Sequence, residues 1–157
     1  YLHQVGFSTT EIGFLWSVGV VAEIIMFAFA HVFLTRFSWR YLVSLCLVLT
    51  GIRWMIVGLL PNSFMAQFLA QTIHAFSFGL FHMIAMRVVF QNFSIGQQGR
   101  GQAMYSTMWG LGVALGSILA GRYWQLISGE VIFIIAGFAT FIGLLFVRWL
   151  PKHIQQA

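Results

Sequence analysis

The sequence predicts an all-α, polytopic membrane protein with five transmembrane helices. Three observations carry that prediction. Of 157 residues, 60% are hydrophobic and only 7% charged, whereas soluble domains carry about 25% charged residues to cover a water-facing surface. Five apolar runs are long enough to cross about 30 Å of hydrocarbon. Finally, 16 glycines and 17% aromatic residues suit helices in lipid, where glycine is commoner than in soluble helices.

The first seven residues, YLHQVGF, read as an interfacial end. Ser8-Thr9-Thr10-Glu11 then fits a capping box, in which the Ser8 hydroxyl and the Glu11 carboxylate satisfy orphan amides. The first span runs over residues 8–34, with Glu23 near its middle and His31 near its end. TRFSWR (35–40) is a short basic turn. The second span (41–60) contains Arg53 and stops at Pro61-Asn62. The third (64–90) is read as one continuous helix. QNFSIGQQGRG (91–101) is polar and glycine-rich, and reads as the longest loop. The fourth span covers 102–124. Its Gly112, Gly116 and Ala120 recur every four residues, a small-residue stripe that lets helix backbones approach closely. After the turn LISGE (126–130), the fifth span covers 131–150 and ends at Pro151-Lys152.

Loop charge predicts orientation. Arg36 and Arg40, Arg100, then Arg148 and Lys152 fall on one side of a five-span zigzag, joined by Arg87 at the end of the third helix. By the positive-inside rule that side is cytoplasmic, which puts Tyr1 on the periplasmic face of a bacterial-type inner membrane and Ala157 in the cytoplasm. Ends on opposite faces, and a first residue that is not Met, make the chain read as a piece of a longer protein. The net charge of +5 does not point to nucleic acid, because the basic residues are scattered singly. The single Cys46 excludes an internal disulfide framework.

The stretch QFLAQTIHAFSFGLFHMIAMR (67–87) carries the strongest functional signal. At about 100° per residue, Gln67, Gln71, His74 and His82 share roughly a quarter-turn, with Ser77 beside them. Unpaired polar groups facing lipid cost several kcal/mol, so this stripe faces other helices or a water-filled cavity. Glu23, Arg53 and His74 are the ionisable groups nearest the centres of spans, where each charge costs about 2.5–3.5 kcal/mol on insertion scales. Two readings fit Glu23 and Arg53: an ion pair that pins two helices together, or a substrate or proton site. His74 alone suits either a hydrogen-bonded core histidine or a proton carrier, since its ordinary pKa lies near 6.5. His31 and His82 read as hydrogen-bonding or interfacial residues. His74 and His82 lie about 80° apart on a straight helix, poor geometry for a metal, and no Cys or Asp joins them. No metal or cofactor is expected. With no phosphate loop, nucleophile motif or paired carboxylates, the pattern points away from an enzyme.

Glu23 in FLWSVGVVAEIIMFAF, Arg53 in GIRWMIVG and the third span's TIHAFSFGLFHMIAMR, with H-x7-H-x3-MR at His74, His82, Met86 and Arg87, resemble helices eight, nine and ten of major facilitator superfamily transporters. The resemblance covers essentially the whole chain. More distantly, Glu23, Arg53 and His74 are similar to the Glu, Arg and His that the lactose permease class of proton symporters carries in those helices. Those symporters also place a Glu one turn after the His. Ser77 stands there instead and cannot titrate in the relevant range, so their proton mechanism does not carry over intact. The resemblance implies most of a carboxy-terminal six-helix half, with the amino-terminal half of about six helices, and most of helix seven, outside this chain. It also implies a proton-coupled secondary transporter of a small aromatic monocarboxylate such as 3-phenylpropionate. Arg53 would take the carboxylate, and Phe76, Phe78 and Phe81 would supply aromatic walls. Gln71, Ser77 and His82 complete the candidate site. Alternatives are a sugar or nucleoside symporter of the same fold, with Glu23 on hydroxyls, and a non-transporting membrane subunit in which Glu23 and Arg53 are structural.

Overall fold

The computed structural model describes residues 1–150. The predicted chain end at Pro151-Lys152 and the position of Ala157 lie outside the described residues. The helices are α1 (Thr9–Arg36), α2 (Trp39–Leu59), α3 (Phe64–His74), α4 (Phe81–Asn92), α5 (Gln98–Tyr123) and α6 (Gly129–Val147). A π-helical segment, Ala75–Leu80, joins α3 to α4, and a 3₁₀ turn, Ile95–Gln97, leads into α5. With the joined pieces counted as single spans, five helices are long and apolar enough to cross a membrane. This is a multi-pass membrane protein.

Serines start the helices. Ser8 Oγ accepts from the Glu11 amide at 3.3 Å while Glu11 accepts from the Ser8 amide at 2.8 Å, completing the capping box. Ser38 and Ser63 cap α2 and α3 in the same way, accepting from the amides of Tyr41 and Ala66. Helix α2 ends at Leu60, and its exposed carbonyl is met by Gln67. This side chain, read from sequence as part of the cavity-facing stripe, is 2% exposed. It donates to Leu60 O at 3.2 Å and Pro61 O at 3.3 Å. Gln67 therefore closes a helix end, a task that backbone desolvation makes obligatory in lipid.

Two other expectations change. The third span is not a uniform α-helix, because residues 75–80 widen into a π-helical turn. The stretch 91–101 is not one long loop: α4 runs to Asn92, and helical structure resumes at Ile95. Gly101 explains the early restart. A Cβ there would stand 2.7 Å from the Phe93 ring and 2.8 Å from Val89, so glycine lets the first turn of α5 sit against the end of α4.

Two interfaces organise the packing. Helix α1 lies along α3 and the π segment, and α2 lies along α6. Met26, Ala30, Leu42, Cys46, Ala75, Leu80 and Ile84 form a core where α1, α2 and the third span meet. Helix α5, in contrast, meets α4 and, through Trp109, the π segment, and its apolar stretch stays unburied among the described residues. At Gly112 and Gly116, part of the stripe read as a close-packing surface, an added Cβ would meet no neighbouring element within 4 Å among the described residues. At one end of the molecule Arg40 donates to the Arg148 carbonyl at 3.0 Å and Arg87 donates to the Leu34 carbonyl. These contacts engage three of the predicted basic-face residues, Arg40, Arg87 and Arg148. At the other end Tyr1 donates to Val57 O at 3.2 Å. Burial, with Glu130 nearby, pushes its phenol up to about 12, so it stays a neutral donor.

Candidate functional site

The middle of the third span meets α1 through a glycine. A Cβ on Gly19 would lie 3.1 Å from Gln71 Oε1 and 3.8 Å from the His74 ring. Without a side chain at position 19, both polar groups reach α1. One turn further along α1, on the same face, Glu23 meets His74: Oε1 and Nε2 are 2.8 Å apart. An imidazole Nε2–H donating to a carboxylate gives that geometry. Neither side chain is sealed, His74 being 28% and Glu23 19% exposed. The other ring nitrogen, Nδ1, is buried and has no partner among the described residues.

This pairing corrects the sequence reading. Of the two readings of Glu23 and Arg53, the direct ion pair gives way to one between Glu23 and His74. Among the described residues, Glu23–His74 is the one ion pair within 4 Å. Arg53 bonds elsewhere. Its Nε donates to Ala70 O at 3.2 Å, and its guanidinium carbon lies 4.3 Å from the centroid of the Trp54 ring. Its terminal nitrogens find no acceptor among the described residues. A guanidinium is a fixed fork of donors, and here the fork's outer prongs remain open.

The π segment arranges the remaining groups. His74, Phe78 and His82 stack in one column, with successive centroids 5.7 Å apart and interplanar angles of 25° and 18°. A π turn takes about one residue more than an α turn, which shifts the phase of everything after it. His82 thereby faces α5, where its Nδ1 and the Tyr105 hydroxyl are 2.9 Å apart. Trp109 packs edge-on against both Phe78 and His82. Ser77 turns back on its own helix, donating to the His74 carbonyl at 3.1 Å. The three phenylalanines expected to act together do not. Phe78 and Phe81 face Trp109, whereas Phe76 packs edge-on against Phe33 of α1. Phe76 lines an apolar groove of about 470 Å³ with Ala22, Met26 and Phe29, away from the polar groups.

The structure thus unites Glu23, His74 and Gln71 at the α1–α3 contact, keeps Arg53 beside them on α2, and assigns His82 to α4–α5. Sequence reasoning missed Gly19, Tyr105 and Trp109. Gly19 had a signal, since it stands four residues before Glu23. Tyr105 and Trp109, on a span with no charged residue near its middle, had none. Among the described residues no cluster of three or more His, Cys, Asp or Glu could hold a metal.

A bundle of five spans with ionisable groups at mid-depth defines a polytopic protein with a polar interior. Residues 1–135 match the MFS_1 like family, and the chain belongs to this family of major facilitator transporters. Over 141 residues, 87% of this chain, it is 30% identical to the protein described as "Probable 3-phenylpropionic acid transporter" of Escherichia coli (strain K12). It spans 36% of the length of that relative. No solved structure matches.

Proposed function

We propose that this chain contributes one wall of the binding site of a proton-coupled secondary transporter for a small aromatic carboxylate, 3-phenylpropionate being the first substrate to test. The observation that carries the reading is the division of labour between the ionisable groups. Glu23 is occupied by His74, and among the described residues no anion lies within 4 Å of the Arg53 fork. A cation in a low-dielectric span with open donors suits a carboxylate held by two parallel hydrogen bonds. The likeness to a protein described as a 3-phenylpropionic acid transporter supports the same substrate class. The amino-terminal half would supply the facing wall, and the membrane is read as a bacterial-type inner membrane.

The proton belongs, in this reading, to the Glu23–His74 pair. Two titratable groups sharing one hydrogen bond titrate as a unit, and substrate charge arriving at Arg53 alters the field that both feel. Ser77, bonded to the His74 carbonyl, contributes no proton.

Uptake assays in the full-length transporter test both parts. Arg53→Ala should abolish saturable 3-phenylpropionate uptake. Arg53→Lys should raise KM about tenfold, as a point charge replaces a planar fork. Wild-type kinetics for Arg53→Ala would remove the carboxylate site. His74→Gln should keep substrate exchange across the membrane and lose pH-driven accumulation. Accumulation surviving in both His74→Gln and Glu23→Gln would move the proton site to residues outside this chain.

A further inference from the structure

Arg53 is held by more than its hydrogen bond to Ala70. The Trp54 ring, 4.3 Å from the guanidinium carbon, stacks in turn on Phe133 of α6, with centroids 5.3 Å apart and planes 18° from parallel. Phe133 is itself fixed by Tyr1 at 4.7 Å and Trp124 at 6.4 Å. An aromatic chain therefore runs from the arginine into the α2–α6 contact, the most extensive helix pairing among the described residues. A free arginine side chain samples many rotamers and loses that freedom on binding. This one has its Nε tethered to a backbone carbonyl and its guanidinium carbon held over an indole ring. What remains open is the edge that carries the terminal nitrogens.

We infer that Trp54, backed by Phe133, is a positioning residue that fixes the plane of the Arg53 fork and so makes the site select a carboxylate over the corresponding neutral amide. The inference rests on the reading that Arg53 takes the substrate carboxylate. Two coplanar N–H groups match the two oxygens of a carboxylate. An amide offers one oxygen and turns its own NH₂ donors toward the fork, where they have no acceptor. A fork of fixed orientation meets that mismatch in full. A fork free to rotate evades part of it by offering a single N–H to the amide oxygen.

The test uses the full-length transporter, with uptake of labelled 3-phenylpropionate and competition by 3-phenylpropionate and 3-phenylpropionamide. Trp54→Leu should raise KM about fivefold to thirtyfold, the worth of a partly to largely desolvated cation–π contact, with little change in kcat. The ratio of amide to acid inhibition constants should fall by a similar factor. Trp54→Phe, which keeps an aromatic face, should recover most of both, and Phe133→Leu should reproduce Trp54→Leu more weakly. KM does not depend on the amount of protein inserted, so poor expression does not mimic this result. Wild-type KM and selectivity in Trp54→Leu, beside an Arg53→Ala that has lost uptake, would overturn the positioning role and leave the carboxylate site standing. A fall in kcat at constant KM in both Trp54→Leu and Trp54→Phe would also overturn it, by showing a role confined to the fold. Normal kinetics for Arg53→Ala would instead remove the carboxylate site and this inference together.

Discussion

Glycine does opposite things in two parts of this molecule. Along the α2–α6 contact, a Cβ on Gly51 would stand 2.5 Å from the Phe141 ring, and one on Gly58 would stand 2.7 Å from the Glu130 carbonyl oxygen. One on Gly137 would lie 3.1 Å from the Gly51 carbonyl. On α5, a Cβ added at Gly110, Gly112, Gly116 or Gly121 would meet no neighbouring element within 4 Å among the described residues. The regularly spaced stripe is the unpacked one, and the irregularly spaced glycines carry the close approach. Small residues permit helix contact, but the dispersion energy that drives it comes only where a partner surface is present. Arg53 stands on the tight pair, whereas the His82–Tyr105 hydrogen bond ties the third span to the loose helix.

The contrast can be broken by adding one methyl group at a time. Gly58→Ala should cost about 1–3 kcal/mol, because the new carbon meets backbone that cannot rotate away. It should appear as a lower thermal unfolding midpoint of the purified full-length transporter, and an unchanged midpoint would show that α2 and α6 slide apart cheaply. Gly116→Ala should lie within about 0.5 kcal/mol of wild type, or stabilise slightly through helix propensity. A loss as large as that of Gly58→Ala would reveal that residues outside those described here cover α5. The smallest perturbation sharpens the comparison without disturbing energy at all. Gly99→Cys, in the first turn of α5, and Ser128→Cys, just before α6, should fold normally. By the charge rule, the first should react with a membrane-impermeant thiol reagent only from the cytoplasmic side and the second only from outside. The reverse pattern would invert the proposed orientation.

The five spans were legible because hydropathy needs only length and composition, and lipid enforces both. The ionisable groups were legible for the same reason: Glu23, Arg53 and His74 are conspicuous where charge is expensive. Their partners were not. Whether Glu23 meets Arg53 or His74 depends on how α1, α2 and α3 rotate about their axes, and that is set by contacts such as Gly19 against Gln71. Helical-wheel reasoning assumes one period throughout, so it gave no sign of the π turn at Ala75–Leu80. Gln67 shared the stripe's angle but lay at the wrong depth, beside the end of α2.

The arginines at the basic end lead double lives. Arg40 bonds the carbonyl of Arg148 and Arg87 that of Leu34, in each case at the C-terminal end of a helix, where carbonyls lack intrahelical donors and the dipole is negative. The charge that, under the positive-inside rule, would bias the nascent chain's orientation becomes in the folded structure a clamp joining two helices that are far apart in sequence. Arg40 reaches across 108 positions and Arg87 across 53. A neutral substitution at either position would therefore act twice over the life of the protein, first on the fraction of chains threaded the right way round, and later on how long each correctly threaded chain survives.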